Sequence, residues 1–318
     1  MRSVLRVVGR TRWVAVGPLA TVLLISGLLI GGCSSSRLDL VGTAAVVNGT
    51  AIPVEQVQDQ SDVLLAQEDE QFRAQLVAGR QLDEVSRFVL TQLVTHELIN
   101  VAAQRNDLSV DPTEVSALLY ELGGPGIAPR AEEFRQQAED RLLMVQLGRR
   151  TLGTAVTFDY TTATSRAAAI QRAEELAAAG PRGARALINA DIDAGKEAGV
   201  GKRVVAGDDP IFAASPVFGV AEGSVVAFQL ADSQRWLITV SRNRVDGAQP
   251  SDAAPDPDQI DPDVLEAIGL RQLAPVADDV GVRLSPRYGV WDQVSMQVVP
   301  DENETGGIAL LLAAALRE

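Results

Sequence analysis

Between Arg87 and Leu122, in RFVLTQLVTHELINVAAQRNDLSVDPTEVSALLYEL, apolar residues fall at helical spacing twice over. Leu90, Val94, Leu98 and Val101 form one stripe, widened by Leu93 and Ile99. Asp111, Pro112 and Glu114 mark a second helix start: the carboxylate can accept from free amides, Pro suits the first helical position, and Glu stands three residues beyond the cap. Gly123-Gly124-Pro125-Gly126 ends that helix. Two helices of this length cannot bury their apolar faces alone, so the flanking segments must supply walls.

Upstream, AAVVNGTAIPVEQV reads as two short strands around an Asn48-Gly49 turn, with Pro53 opening a helix that runs to about Leu82. Val54, Val57, Leu64, Leu65, Phe72 and Leu76 are its core candidates, with a break around Gln67 to Gln71. Downstream, Arg130 to Arg150 returns to helix, with Phe134, Ala138, Leu142 and Val145 on one face and Gly148 and Gly153 loosening its exit. A different texture follows. VTFDYTTAT reads as a strand, SRAAAIQRAEELAAAG as an Ala-rich helix, ARALINADID as a short helix, and Ser224 to Leu230 and Arg235 to Val240 as strands joined at Asp232-Ser233. Asp246 to Asp263 has the Pro, Asp and Ala content of an exposed linker. Asp261-Pro262-Asp263 then starts a helix reaching about Asp279. A short strand at Val282 to Leu284 and a compact aromatic turn at Pro286 to Trp291 come next, with Tyr288 and Trp291 read as packing residues.

The run AAVVNGTAI and the Leu-Val-x-x-x-Leu-Ile and Leu-x-Val-Asp-x-x-Glu-Val positions up to Val115 together resemble the N-terminal chaperone domain of the SurA and PrsA folding factors, over about Ala44 to Gly148. In those families the domain cradles unfolded clients and carries no catalytic residue. The following order of strand, helix, short helix, loop and terminal hairpin, with SPVFGVAEGSVVAFQLADSQRWLITVSRNRV, resembles a parvulin-type prolyl isomerase domain. Parvulins carry a His in the first strand and another in the closing strand; here those strands offer Phe158 and Tyr160, and Trp236, so the resemblance implies a degenerate domain with these three as candidate client contacts. It also implies that the C-terminal segment returns to complete the helical domain. The expected fold class is α+β, a mainly helical SurA-like domain with an inserted parvulin-like α/β domain. The boundaries are 1–32 signal peptide, 33–43 tether, 44–153 helical domain, 154–245 insert, 246–260 acidic linker and 261–318 C-terminal segment.

Composition alters this picture mainly at the N-terminus. Arg2, Arg6, Arg10 and Arg12 precede an apolar stretch, Val14 to Ile30, that runs into Ile30-Gly31-Gly32-Cys33. This resembles a bacterial lipoprotein signal, which implies lipidation of Cys33, a membrane anchor and a body outside the cytoplasm; an uncleaved anchor is the other reading of the same stretch. Cys33 is the only cysteine, so no intramolecular disulfide and no thiolate metal cluster can form. Residues 1–32 hold four Arg and no acid, so from Cys33 onward 24 basic residues face 42 acidic ones, a net charge of −18. A body that acidic, with only 4% aromatic residues, does not suit nucleic acid.

Candidate chemistry is sparse. The glycines of 180–183 and 195–201 lack phosphate-loop spacing, so no nucleotide is expected. Glu68-Asp69-Glu70 reads as a solvated helix end and Asp208-Asp209 as a turn. The single histidine, His96, sits beside Gln92 and Asn100 on a face read as solvated. No catalytic residue, metal or cofactor is therefore assigned. The expected partners are unfolded exported proteins and, through Cys33, the membrane. Two rivals stand beside the chaperone reading: a prolyl isomerase working by desolvation and shape without the histidines, and a structural lipoprotein with one dedicated envelope partner.

Overall fold

Strands β1 (Thr43–Val47) and β2 (Thr50–Pro53) meet at Asn48-Gly49, where both residues have positive φ, +51° and +80°, the geometry that this dipeptide supplies at least cost. The computed structural model describes residues 42–67, 70, 79, 81–123, 131–230 and 234–313. Cys33 and the export segment, Glu68 and Asp69, Phe72, Leu76, Gly124-Pro125-Gly126, Asp232-Ser233 and the tail beyond Ala313 lie outside the described residues. Residues 39–318 form one compact unit of α+β character.

Helices α1 (Val54–Gln67), α2 (Leu82–Arg105), α3 (Pro112–Gly123) and α4 (Ala131–Thr151) follow. α2 buries Leu90, Leu93, Val94, Leu98 and Ile99 in a core shared with β1, α1 and α4. Asp111 starts α3 by accepting from the Thr113 amide at 2.8 Å. On α4 the buried face differs from the expected one. Leu143 and Leu147 enter the first core beside Ala138, while Leu142 is only half-buried, because the helix is covered on two sides.

The second side is taken by α8 (Pro262–Arg271), and here glycine decides the packing. A Cβ on Gly148 would lie 2.0 Å from the Leu265 carbonyl oxygen, and one on Gly269 would lie 2.0 Å from that of Met144. The two helices touch backbone to backbone at reciprocal glycines. Gly148 therefore does not loosen the exit of α4: it is the contact point that lets α8 approach.

Between α4 and α8 lie β3 (Thr154–Ala163), α5 (Arg166–Ala178), α6 (Gly180–Asp193), β4 (Ala198–Val205), the single-turn α7 (Pro210–Ala213), β5 (Ser224–Gln229) and β6 (Trp236–Asp246). After α8 come α9 (Leu273–Val280), β7 (Val282–Leu284), the hairpin β8 (Val290–Asp292) and β9 (Gln297–Val299), and β10 (Gly307–Leu311). One antiparallel sheet runs β10-β5-β6-β3-β4, and a smaller one runs β2-β1-β7. The C-terminal segment thus supplies a strand to each sheet: β7 to β1, and β10 to β5. The large sheet has a core on each face. Ile238, Val240 and Val225 lie under α5 and α6, and Val156, Phe158 and Val226 lie toward Phe218, Leu265 and Ile268.

Candidate functional site

β3 points Phe158 and Tyr160 to one face of the sheet, since residues two apart share a face. Phe158 is 2% exposed, stacks on Phe212 at 5.7 Å between centroids, and meets Tyr160 edge-on at 6.3 Å. Phe218 closes the group edge-on to Phe212. Trp236, 7% exposed, belongs to the opposite face with Ile238 and Val240 beneath α5 and α6. Of the three aromatics singled out in the sequence, the fold brings Phe158 and Tyr160 together and sets Trp236 across the sheet. Phe158 and Trp236 fill cores, and Tyr160 is half-buried, its ring against Gly199. Phe212 was not singled out in the sequence, where Asp208-Asp209 reads as a turn; Asp209 caps the short helix that carries it, its carboxylate accepting the Phe212 amide at 3.0 Å, and nothing in the spacing foretold that the ring would stack on Phe158.

Between these aromatics Asp159 points to the other side and is fully buried. Burial pushes its carboxyl up, but Arg185, the Gly201 amide at 2.7 Å and Arg242 at 2.8 Å outweigh that and hold it below the usual carboxylate range. This ionic node ties β3 to α6, β4 and β6. Its carboxylate is held from three sides and positions the strand, while the Arg242 Nη2 stays buried without a partner.

His96 is not on a solvated face. Its Nδ1 lies 2.9 Å from both Asp140 oxygens, and Asn100 Nδ2 lies 3.0 Å from its Nε2, so it joins α2 to α4. In the neutral ring Nδ1–H donates to Asp140 and Nε2 accepts from the Asn100 amide; in the charged ring Nε2–H requires the Asn100 oxygen instead. The Asp140 hydrogen bond raises the His96 pKa, burial opposes it, and the charges of Asp140, Glu97 and Glu139 add to the rise. No group of His, Cys, Asp and Glu able to hold a metal occurs among the described residues.

The open surface of the helical part lies next to this pair. A cleft of about 380 Å³ is framed by Gln60 and Leu64 of α1, Phe88 and Ile99 of α2, and Asp140 and Met144 of α4. A second cleft of about 300 Å³ lies between α2 and β9, where Thr91 Oγ1 accepts the Val298 amide at 2.9 Å. Phe88 borders both and is 56% exposed. An aromatic ring of that size left in water between two concave surfaces is suited to meeting another chain. Glu266, at the far wall of the first cleft, has its carboxyl pushed up by burial. The arrangement offers apolar contact with a polar rim; among the described residues it offers no nucleophile beside a base.

Residues 5–123 match the protein family described as SurA-like N-terminal domain, a stretch that contains α1, α2, α3 and Phe88. The chain is thus SurA-like in its N-terminal third. No curated protein matches it. Among solved structures, the foldase protein PrsA from Lactococcus lactis is 11% identical, with 76% of this chain and 94% of that chain covered and a TM-score of 0.26. A structure from Campylobacter jejuni, described with PEB4 and Cj1289 as two structurally related SurA-like chaperones, is also 11% identical, with 77% and 99% covered and a TM-score of 0.22. Superpositions this loose carry no functional argument.

Proposed function

We propose that this SurA-like chain is a lipid-anchored folding factor outside the cytoplasm that holds extended apolar segments of unfolded exported proteins. The observation that carries this reading is Phe88, exposed between two clefts on the helix that the SurA-like match covers. Affinity there would be weak and tolerant of sequence, as apolar contact without a closed pocket gives. The acidic composition would keep a loaded complex in solution. The anchor would be Cys33, on the strength of Ile30-Gly31-Gly32-Cys33 after an apolar stretch. No helix among the described residues is long and apolar enough to cross a membrane.

The region from β3 to β6 is read as a degenerate parvulin-like domain. Its support is the order strand, two helices, strand and hairpin, with β6 returning beside β3. It is read as structural rather than catalytic, because Phe158 and Trp236 are buried on opposite faces and frame no common pocket. A photo-crosslinker placed at position 88 tests the main reading. It should capture an unfolded exported protein, whereas one at the exposed Ser116 of α3 should not; equal capture at both would defeat the assignment of the cleft.

A further inference from the structure

The two edges of the large sheet are treated differently. β4, at one end, carries Lys202 and Arg203 and a left-handed Gly201 at φ +67°, the charges and backbone irregularity that discourage a further strand. β10, at the other end, reads Gly307-Ile308-Ala309-Leu310-Leu311, without a charge, in unbroken register with β5. Leu311 is 74% exposed.

The hydrogen-bond parity of β10 follows from its end. Leu312 donates to the Gly223 carbonyl at 2.8 Å, so in the same register Leu310 and Ile308 turn their amides and carbonyls toward β5. Gly307, Ala309 and Leu311 turn theirs outward, and the Gly307 carbonyl indeed accepts from Thr305 Oγ1 at 2.9 Å. Those of Ala309 and Leu311 have no partner among the described residues.

This bare edge is the floor of a trough. Clefts of about 790 and 440 Å³ share Asp278, Gln293, Val294 and Ala309, and so run on from one another along β10, with α9 and the β8–β9 hairpin as the facing wall. The arginines of the trough are occupied by uncharged oxygens. Arg166 donates to Thr305 Oγ1 and to the Glu302 and Thr305 carbonyls, and Arg271 donates to the Ala214 and Val294 carbonyls. The most exposed charged groups of the trough are two carboxylates, Glu302 and Asp278, the latter accepting from Gln293 with its pKa pushed up by burial, while the Arg166 and Arg271 guanidiniums are half-buried.

From the unpaired edge, the apolar floor and the acidic wall, we infer that the trough takes an extended peptide segment bearing a basic residue, which adds as a sixth strand on β10 through Ala309 and Leu311. Main-chain pairing would give binding without a fixed sequence, and the carboxylates would favour a Lys or Arg on the occupant. The inference rests on the folding-factor reading and assigns it a second, backbone-reading site. A second copy pairing edge to edge through the same strand is the outcome that the test below separates from this one.

The test uses the full chain in detergent and a labelled ten-residue peptide of alternating Val and Thr with one central Lys, followed by anisotropy. The peptide should bind. Methylating the alternate backbone nitrogens that face β10 should weaken binding about tenfold, as loss of main-chain bonds requires, while methylating the other set should change it little. Lys→Glu in the peptide should weaken binding at low salt. Ala309→Pro should mimic the first effect with an unchanged thermal midpoint, since the lost amide points away from β5. Binding indifferent to either methylation, or a dimer abolished by Ala309→Pro with no peptide bound, would overturn the inference. Aggregation suppression by the unaltered chain is measured in parallel. Suppression with methylation-indifferent binding overturns the trough alone, and absence of suppression overturns the folding-factor reading as well.

Discussion

Phe88 keeps more than half of its surface in water while Val89 and Leu93, which follow it on the same helix, are buried. Removing its ring therefore costs the fold little and the clefts much. Phe88→Ser should leave stability within about 0.5 kcal/mol of the parent in denaturant titration, yet weaken binding of an unfolded client about fivefold or more. His96 and Asp140 make a second residue-level case, with a definite sign. Because the His96 pKa is raised in the folded chain, the stability it contributes is fully present below its unfolded value of about 6.5 and is lost as pH rises through the folded value. The difference in thermal midpoint between the parent and Asp140→Asn should therefore be widest below about pH 6.5 and narrow as pH rises through the folded value. After solvent screening the pair should be worth about 1 kcal/mol. A difference that grows with pH would contradict the assignment. The sequence placed His96 correctly on a helix and misjudged its surroundings, because its partner lies 44 residues away on α4 and no spacing rule reaches that far.

Among the elements, the long helices were legible, whereas β4, β8, β9, β10 and the single-turn α7 were not. Asp111 and Asp261 signal helix starts through local side-chain to amide bonds, at 2.8 and 2.9 Å, and such bonds need only neighbours in sequence. β4 escaped notice because Gly199 and Gly201, with Gly195 just before it, give the stretch the composition of a loop; it is a strand because β3 pairs with it from Ala155 to Thr161. Gly199 leaves room for the Tyr160 ring, which a Cβ would approach to 2.6 Å. The same kind of tertiary demand governs Gly148 and Gly269. A helix-interior glycine costs about 1 kcal/mol against alanine in isolation, so local propensity predicts that Ala should stabilise. At this contact the opposite should hold. Gly148→Ala and Gly269→Ala should each destabilise the chain by about 2 kcal/mol or more in chemical unfolding, since two backbones must move apart. A gain in stability from either would show that α4 and α8 do not touch there.

At the scale of the whole molecule, the chain after residue 261 closes both sheets, with β7 on β1 and β10 on β5. The return of β7 to the helical part was suggested by family resemblance; the pairing of β10 with the far sheet was not legible, because an apolar run reads alike as strand, tail or membrane contact. The same ambiguity hides a client groove in sequence, since residues that line one have the pattern of residues that fill a core. Phe158 and Trp236 illustrate it: singled out as candidate client contacts from their place in the first and closing strands, they are core residues of opposite sheet faces. Anchoring is a separate prediction. Cys33→Ala should move the chain from the membrane to the soluble fraction after cell lysis if lipid alone holds it, and retention in the membrane would favour an uncleaved apolar anchor.

The central claim is that this molecule holds unfolded chains, and it is tested most directly by titrating the compact unit from Asp39 to Glu318 against a chemically unfolded exported protein and following light scattering. Suppression of aggregation near equimolar amounts is the result expected. Scattering that is unchanged at severalfold excess would contradict the claim.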